Sequence, residues 1–236
     1  MPRVKLVLLP GLDGTGVLFQ PLLQALPPDI EPLVVAYPDR ECLGYDELLP
    51  RVLSVLPHDE PFVLLGESYG GPLALQVAAT RPQGLRGVIL SASFVTVPYR
   101  FVPGWAAHLV AALPFRSFPL YARIKRWLGA YATPEFAMLS AQALSRPSAE
   151  VFAHRVREIV RLDARSILAS LALPVLYLQG TRDHVVPAHN LQAILRIKPQ
   201  VQTRRFDSPH MLLQTRPMLA AKAIADFIAA TANTTI

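Results

Sequence analysis

The sequence predicts an α/β class, with a mostly parallel sheet of about six strands covered by helices on both faces. Three observations carry that prediction. Short apolar runs alternate with segments whose apolar residues recur at helical spacing. The runs are continuous rather than alternating, as in strands buried on both faces. One long, basic, proline-punctuated stretch interrupts the alternation. The chain has 236 residues, 52% hydrophobic and 17% charged. It can form one large domain or two small ones and is too apolar for a disordered chain.

Val4 to Leu9 is an apolar run ended by Pro10-Gly11 and reads as a buried strand. Val17 to Leu26 has helical spacing, Leu33 to Ala36 is a second β-rich run, and Tyr45 to Leu56 is helical with an acidic first turn, Asp46-Glu47, which suits a helix N-terminus. Phe62 to Leu65 is a third strand, Leu73 to Ala79 a helix, and Val88 to Ser91 a fourth strand. After the basic stretch Pro174 opens the strand Val175 to Leu178. Leu191 to Ile197 is helical, Val201 to Phe206 is a strand, and Leu219 to Ala230 is a closing helix.

The basic stretch does not join this alternation. It reads as short helices around Trp105 to Ala112, Leu120 to Leu128, Glu135 to Leu144 and Ala149 to Val160, separated by Pro103, Pro114, Pro119, Pro134 and Pro147. An excursion of about 75 residues far exceeds an ordinary connection. Residues 94–170 are therefore expected to form a helical cap on a core built from 1–93 and 171–236.

The net charge of +6 sits in that cap, since residues 94–170 hold 10 Lys and Arg against 4 Asp and Glu, and the remainder holds 13 of each. Such a surface could face an anionic partner, or be a set of solvated arginine faces. No nucleic-acid motif accompanies it, so nucleic acid is set aside. Counted at 3.6 residues per turn, Arg157, Arg161 and Arg165 fall on one face of the helix that begins at Ala149, which also carries Arg155; Arg123, Lys125 and Arg126 cluster on another. The longest uncharged stretch, Ser166 to Thr181, is 16 residues and contains Pro174, short of the roughly 18 apolar residues of a membrane-spanning helix. Cys42 is the single cysteine, which excludes an intrachain disulfide and any multi-cysteine metal site. A cytoplasmic location is expected.

The sharpest local signal is Gly66-Glu67-Ser68-Tyr69-Gly70, a G-x-S-x-G set between an apolar strand and a helix. A nucleophilic serine must stand out from a tight strand-to-helix turn, and small residues two before and two after it let the chain cross closely; Gly66 and Gly70 meet that need. The following helix turns its N–H groups and positive dipole end toward the site, where an oxyanion could use them. A serine hydroxyl also needs a base that a carboxylate orients. Asp183 follows the strand Val175 to Leu178, and His210 follows the strand Val201 to Phe206, which brings both to the carboxyl edge of the sheet with Ser68. Asp183 is the stronger acid candidate. Asp207 lies three residues from His210, where it would sooner fix the local turn. Of the other histidines, His58 sits in a loop, His108 and His154 in the cap, and His184 and His189 beside Pro187; His210 alone occupies a strand-end loop late in the chain.

These motifs, from Leu8-Leu9-Pro10-Gly11-Leu12 through Gly-Glu-Ser-Tyr-Gly and Gly-Thr-Arg-Asp-His-Val-Val-Pro to Ser-Pro-His, resemble the α/β-hydrolase superfamily, of the serine esterase and lipase type, over essentially the whole chain. The resemblance implies an α/β-hydrolase fold and backbone oxyanion donors at Leu12 and Tyr69. Leu9-Pro10-Gly11 replaces the family's usual His-Gly opening, and Tyr37-Pro38-Asp39-Arg40 stands where many members carry an Arg-Gly-His-Gly-x-Ser-like stretch. Against the larger members, which carry two further N-terminal strands, the resemblance leads us to expect a trimmed version of the fold. No carboxylate follows Val88 to Ser91, where some members place the triad acid, and this favours Asp183. Dehalogenases and epoxide hydrolases of the superfamily carry Asp at the position of Ser68.

The expected function is a serine hydrolase cleaving carboxylic esters of short to medium acyl chain through an acyl-enzyme on Ser68, with Asp183 and His210 completing a triad and no metal or cofactor. Phe94, Trp105 and Leu109 are expected to line the acyl site. A second expectation is a thioesterase or carrier-linked ester hydrolase whose basic cap docks an acidic acyl carrier. A third, from another class, is a catalytically silent binding module, against which an intact Ser68, Asp183 and His210 argue. The Gly-rich loop Leu12-Asp13-Gly14-Thr15-Gly16 lacks the Gly-Lys-Ser/Thr ending of a nucleotide-binding loop.

Overall fold

A computed structural model describes residues 4–99, 131 and 133–232 of the chain. Six strands form one sheet in which every neighbouring pair is parallel: β1 (Val4–Leu9), β2 (Ile30–Val34), β3 (Phe62–Glu67), β4 (Leu85–Ser91), β5 (Val175–Gly180) and β6 (Gln202–Phe206). Their spatial order is β2-β1-β3-β4-β5-β6. The chain reverses direction across the sheet between β1 and β3, and the crevice beyond the carboxyl ends of those two strands is where open α/β sheets bind their ligands.

The strand period of two sorts β1 between two cores. Val7 and Leu9 join Leu64, Val88 and Leu90 on one face, under α2 (Tyr45–Leu53), α3 (Gly70–Ala79), α6 (Arg165–Ser170) and α7 (His189–Ile197). Leu6 and Leu8 join Val63, Leu65, Ile89 and Leu176 on the other, under α1 (Gln20–Ala25), α8 (Leu212–Thr215) and α9 (Pro217–Ala232). Two-sided burial of this kind accounts for the continuous apolar runs in the sequence.

Several elements differ from expectation. The second strand is Ile30–Val34 rather than Leu33 to Ala36, because β1 fixes its register from Val4 opposite Ile30 to Leu8 opposite Val34. As an edge strand it tolerates Glu31 and Pro32. The first helix is split into a 3-10 turn, Val17–Phe19, and α1, whose Pro21 sits in the first turn, a favoured place for proline.

Between β4 and β5, α4 (Pro134–Ser145) and α5 (Ala149–Arg161) start at Thr133 and Ser148, whose hydroxyls accept the N–H groups of Phe136 and Val151 at 3.2 and 3.3 Å. The helices expected around Trp105 to Ala112 and Leu120 to Leu128, with Arg123, Lys125 and Arg126, lie outside the described residues. The helix from Ala149 does not reach Arg165. Leu162 turns extended, Ala164 N–H donates to the Val95 carbonyl at 2.8 Å, and Arg165 opens α6 with its side chain on Asp163. The expected stripe of three arginines on one face is therefore broken after Arg161, and Arg155 is turned inward with 1% of its surface exposed. Ala164 and Leu168 are buried among the core residues under α3, so α6 packs as part of the helical layer.

Candidate active site

Ser68 stands at the turn from β3 into α3 with a positive φ of 50°, a conformation that costs a non-glycine residue of order 1–3 kcal/mol and persists only when its surroundings enforce it. The surroundings are tight. A Cβ on Gly66 would collide with the Gly70 carbonyl and the Gly71 Cα, one on Gly70 with the Leu9 and Pro10 carbonyls, and one on Gly71 with the Ser93 hydroxyl. Ser68 N–H donates to the Ser91 carbonyl at 2.9 Å, and the Ser68 carbonyl accepts Gly71 N–H at 3.1 Å and the Ser93 hydroxyl at 2.8 Å. Ser93 is held in turn by Tyr177, whose hydroxyl donates to the Ser93 carbonyl at 2.6 Å and accepts its N–H at 3.1 Å. Sequence reasoning missed Gly71, Ser93 and Tyr177. Only Gly71, adjacent to the motif, left a local signal.

The three side chains expected to act together meet at the sheet edge. His210 Nε2 lies 3.1 Å from Ser68 Oγ, and His210 Nδ1 lies 2.8 Å from Asp183 Oδ2. Asp183 is buried, and its other oxygen, Oδ1, accepts the N–H groups of Val185 and Val186 at 2.8 Å each. Asp207 turns away to an exposed ion pair with Arg182 at 2.7 Å. Burial alone would lower the His210 pKa, but the charge and hydrogen bond of Asp183, with a smaller contribution from Glu67, outweigh it and leave it raised. Glu67 is itself buried beside the serine and accepts from Gln214 Nε2 at 3.0 Å. Burial pushes its carboxyl up to about 7.

The titration has a direct consequence, because a histidine accepts the serine proton only when neutral. For the wild type, kcat/KM is expected to rise with pH through a midpoint above the ordinary histidine value of about 6.5, the direction of the His210 shift. Measuring kcat/KM for a soluble ester across pH tests this. A flat profile from about pH 5 to about pH 9 would rule out a histidine base.

The loop after β1 reaches the same place. Gly11 faces Ser68, where a Cβ on the glycine would sit 3.7 Å from the serine Cβ. Neither the Leu12 nor the Tyr69 backbone N–H donates a hydrogen bond to a described residue. The Tyr69 ring is fully buried, stacked on Tyr45 at 4.5 Å and edge-on to Tyr37 at 6.2 Å. Phe94 follows Ser93 and is 1% exposed, while Trp105 and Leu109 lie outside the described residues. His189 Nε2 meets the Pro98 carbonyl at 2.8 Å, which turns that imidazole away from Ser68, and the His184 backbone carbonyl accepts the Tyr99 hydroxyl. Among the described residues no group of three or more His, Cys, Asp or Glu is arranged to hold a metal, and no helix is long and apolar enough to cross a membrane.

Residues 45–217 match the family described as alpha/beta hydrolase fold. The chain is 29% identical, over 95% of both sequences, to the pimeloyl-[acyl-carrier protein] methyl ester esterase of Xanthomonas campestris pv. campestris (strain B100). It is 31% identical, over 84% of this chain and 83% of the relative, to the protein of the same name from Xanthomonas oryzae pv. oryzae (strain MAFF 311018). Among solved structures, a thermophilic esterase from Thermogutta terrifontis superimposes with a TM-score of 0.80 at 20% identity, covering 97% of this chain and 90% of the other. A bromoperoxidase from Bacillus anthracis also reaches 0.80 at 16% identity, covering 96% and 92%. Likeness at that identity speaks for the fold, which hosts more than one chemistry.

Proposed function

The chain belongs to the α/β-hydrolase family, and within it we propose a serine hydrolase that cleaves carboxylic esters of short to medium acyl chain. The observation that carries this reading is the continuous hydrogen-bonded series Ser68 Oγ, His210 Nε2, His210 Nδ1, Asp183 Oδ2, at 3.1 and 2.8 Å. His210 takes the Ser68 proton as Oγ attacks the ester carbonyl. The N–H groups of Leu12 and Tyr69 receive the oxyanion, and Asp183 stabilises the imidazolium without taking its proton. The imidazolium then protonates the leaving alcohol. Water, deprotonated by the same histidine, releases the acid from Ser68. Gly66 and Gly70 keep the elbow narrow, and the excursion between β4 and β5, apart from α6 in the helical layer, acts as a cap over the acyl site with Phe94 in its lining. The reading fails if the wild type turns over none of a series of soluble esters of graded acyl length and a fluorophosphonate probe leaves Ser68 unlabelled. That pair of results would favour a silent binding module.

A second reading, that the ester is borne on an acyl carrier, is favoured by the relatives' name, pimeloyl-[acyl-carrier protein] methyl ester esterase. With Arg155 buried and Arg165 on Asp163, the described arginines of α5 left to meet an acidic carrier are Arg157 and Arg161, which recur at i and i+4 and make no ion pair with a described residue. Arg157→Gln combined with Arg161→Gln is expected to leave kcat and KM on a small neutral ester within about twofold, since remote surface charge contributes little to chemistry. On a carrier-bound ester the same variant should lose at least about tenfold in kcat/KM, with the loss shrinking as salt rises. Equal losses on both substrates would mean that the arginines hold the cap together, and a variant unchanged on both would leave them as a solvated face.

A further inference from the structure

We propose that Arg155 is a positioning residue for the reaction, fixing the loop whose Leu12 N–H receives the oxyanion; the inference rests on the reading of that loop given above. Every carbonyl from Pro10 to Asp13 is occupied. The Tyr37 hydroxyl donates to the Pro10 carbonyl at 3.2 Å, and Gly14 N–H donates to the Gly11 carbonyl at 3.0 Å. Arg155 Nη1 donates to the Leu12 and Asp13 carbonyls, both at 2.9 Å, while Nη2 donates to the Pro38 carbonyl at 2.8 Å. A trans peptide points its N–H opposite to its C=O. Holding the Gly11 carbonyl on Gly14 therefore aims the Leu12 N–H the other way. Gly14 lies beneath the guanidinium with φ 71°, and a Cβ there would run into Arg155. The arginine thus holds two carbonyls of the loop directly and packs against the residue that holds a third.

The way this cation is buried argues for a directional role. One oxygen of the neighbouring Asp13 carboxylate, Oδ2, accepts the Thr15 N–H and hydroxyl at 2.9 and 2.6 Å, while the hydrogen-bonded partners of the guanidinium are carbonyls, with the Tyr37 ring centroid 5.5 Å from Cζ. Burying a charge whose hydrogen bonds all go to carbonyls carries a large desolvation penalty, which the nearby Asp13 and Asp39 charges only partly offset. An apolar side chain would seat α5 without that penalty, but it could not set the direction of two successive carbonyls, as a planar fork of donors can. The helix is also anchored elsewhere: Val151 and Phe152 are buried, Ser148 N–H donates to the Asp39 carbonyl at 3.0 Å, and Glu158 accepts Tyr45 N–H at 3.4 Å. Loss of Arg155 should therefore loosen the loop before it releases the helix. Because α5 lies between β4 and β5, seating of that excursion and alignment of the donor share one side chain.

The experiment compares wild type, Arg155→Lys and Arg155→Met in hydrolysis of a small soluble ester, in inhibition by a trifluoromethyl ketone that forms an oxyanion on the serine, in inhibition by the corresponding carboxylic acid, and in thermal unfolding. Removing an oxyanion donor outright costs about 10² to 10³ in kcat, so misaligning one is expected to cost roughly 10- to 100-fold. KM and affinity for the acid should stay within about threefold, while affinity for the ketone falls in step with kcat. A folded variant that keeps kcat and ketone affinity within about twofold overturns the inference, as do equal losses for ketone and acid, which mark an anchor of the cap. Should Arg155→Met not fold, Arg155→Lys and Gly14→Ala, whose Cβ displaces the guanidinium, decide by the same ratio. A wild type that neither hydrolyses the ester nor binds the ketone refutes the serine-esterase reading itself, a result distinct from any ratio among variants.

Discussion

Ser68→Ala is expected to reduce kcat for ester hydrolysis by at least about 10⁴-fold, leaving only what the oxyanion donors and substrate binding supply without a nucleophile. Its thermal midpoint should move by no more than about 3 °C. Among the described residues the side chain hydrogen-bonds His210 alone, at 3.1 Å, and one such bond contributes about 1 kcal/mol, a few degrees in a domain of this size. The backbone carries the rest of the elbow's order, through Ser68 N–H on Ser91 and the Ser68 carbonyl on Gly71 and Ser93. Alanine keeps those bonds. It also keeps the strain at φ 50°, because it has the same Cβ as serine. Turnover above a few per cent of wild type, with p-nitrophenyl ester hydrolysis followed after exhaustive purification, would remove Ser68 as nucleophile. A large fall in the midpoint would instead mean that the hydroxyl helps hold the elbow.

What the sequence made legible follows from how each element is buried. Strands β1, β3 and β5 are enclosed on both faces at residues 6–9, 62–65 and 175–178, so those stretches are apolar without a break, and Pro10-Gly11, Gly66 and, after Gln179, Gly180 follow them. Strand β2 has one neighbour and is exposed at Glu31 and Pro32, a charge and a strand-breaking residue that concealed it behind the more apolar Leu33 to Ala36. Positions of Ser68, Asp183 and His210 at one sheet edge could be read because each follows a strand directly. Contacts between distant residues could not. Ser93 and Tyr177 are 84 positions apart, and Arg155 meets Leu12 across 143. In composition a buried arginine is indistinguishable from a solvated one. The broken arginine stripe has a similar origin: no proline or glycine marks Leu162, and the helix stops there because Asp163 pairs with Thr96 and Ala164 bonds Val95.

Asp183→Asn is expected to lower kcat by on the order of 10⁴, as loss of the orienting carboxylate does in a serine-protease triad. Here the direction of the effect follows from the hydrogen bonds. Oδ1 of Asp183 accepts two backbone N–H groups, from Val185 and Val186 at 2.8 Å. An asparagine must therefore keep its carbonyl oxygen at that position, since an amide nitrogen there would meet two donors with no acceptor. Its NH₂ then falls where Oδ2 stood, 2.8 Å from His210 Nδ1. That group donates, so Nδ1 must accept and the imidazole proton moves to Nε2. Nε2 faces Ser68 Oγ at 3.1 Å and, once protonated, can no longer take the serine proton. Asp207→Asn should differ from wild type by no more than about threefold, because Asp207 is engaged in an exposed ion pair with Arg182, of a kind that contributes about 0–1 kcal/mol. Steady-state kcat for the two variants on one ester, at a pH where the wild type is on its plateau, makes the comparison. If Asp207→Asn proves the more damaging, the carboxylate that orients His210 during turnover is not Asp183. If both are mild, the imidazole holds its tautomer without either.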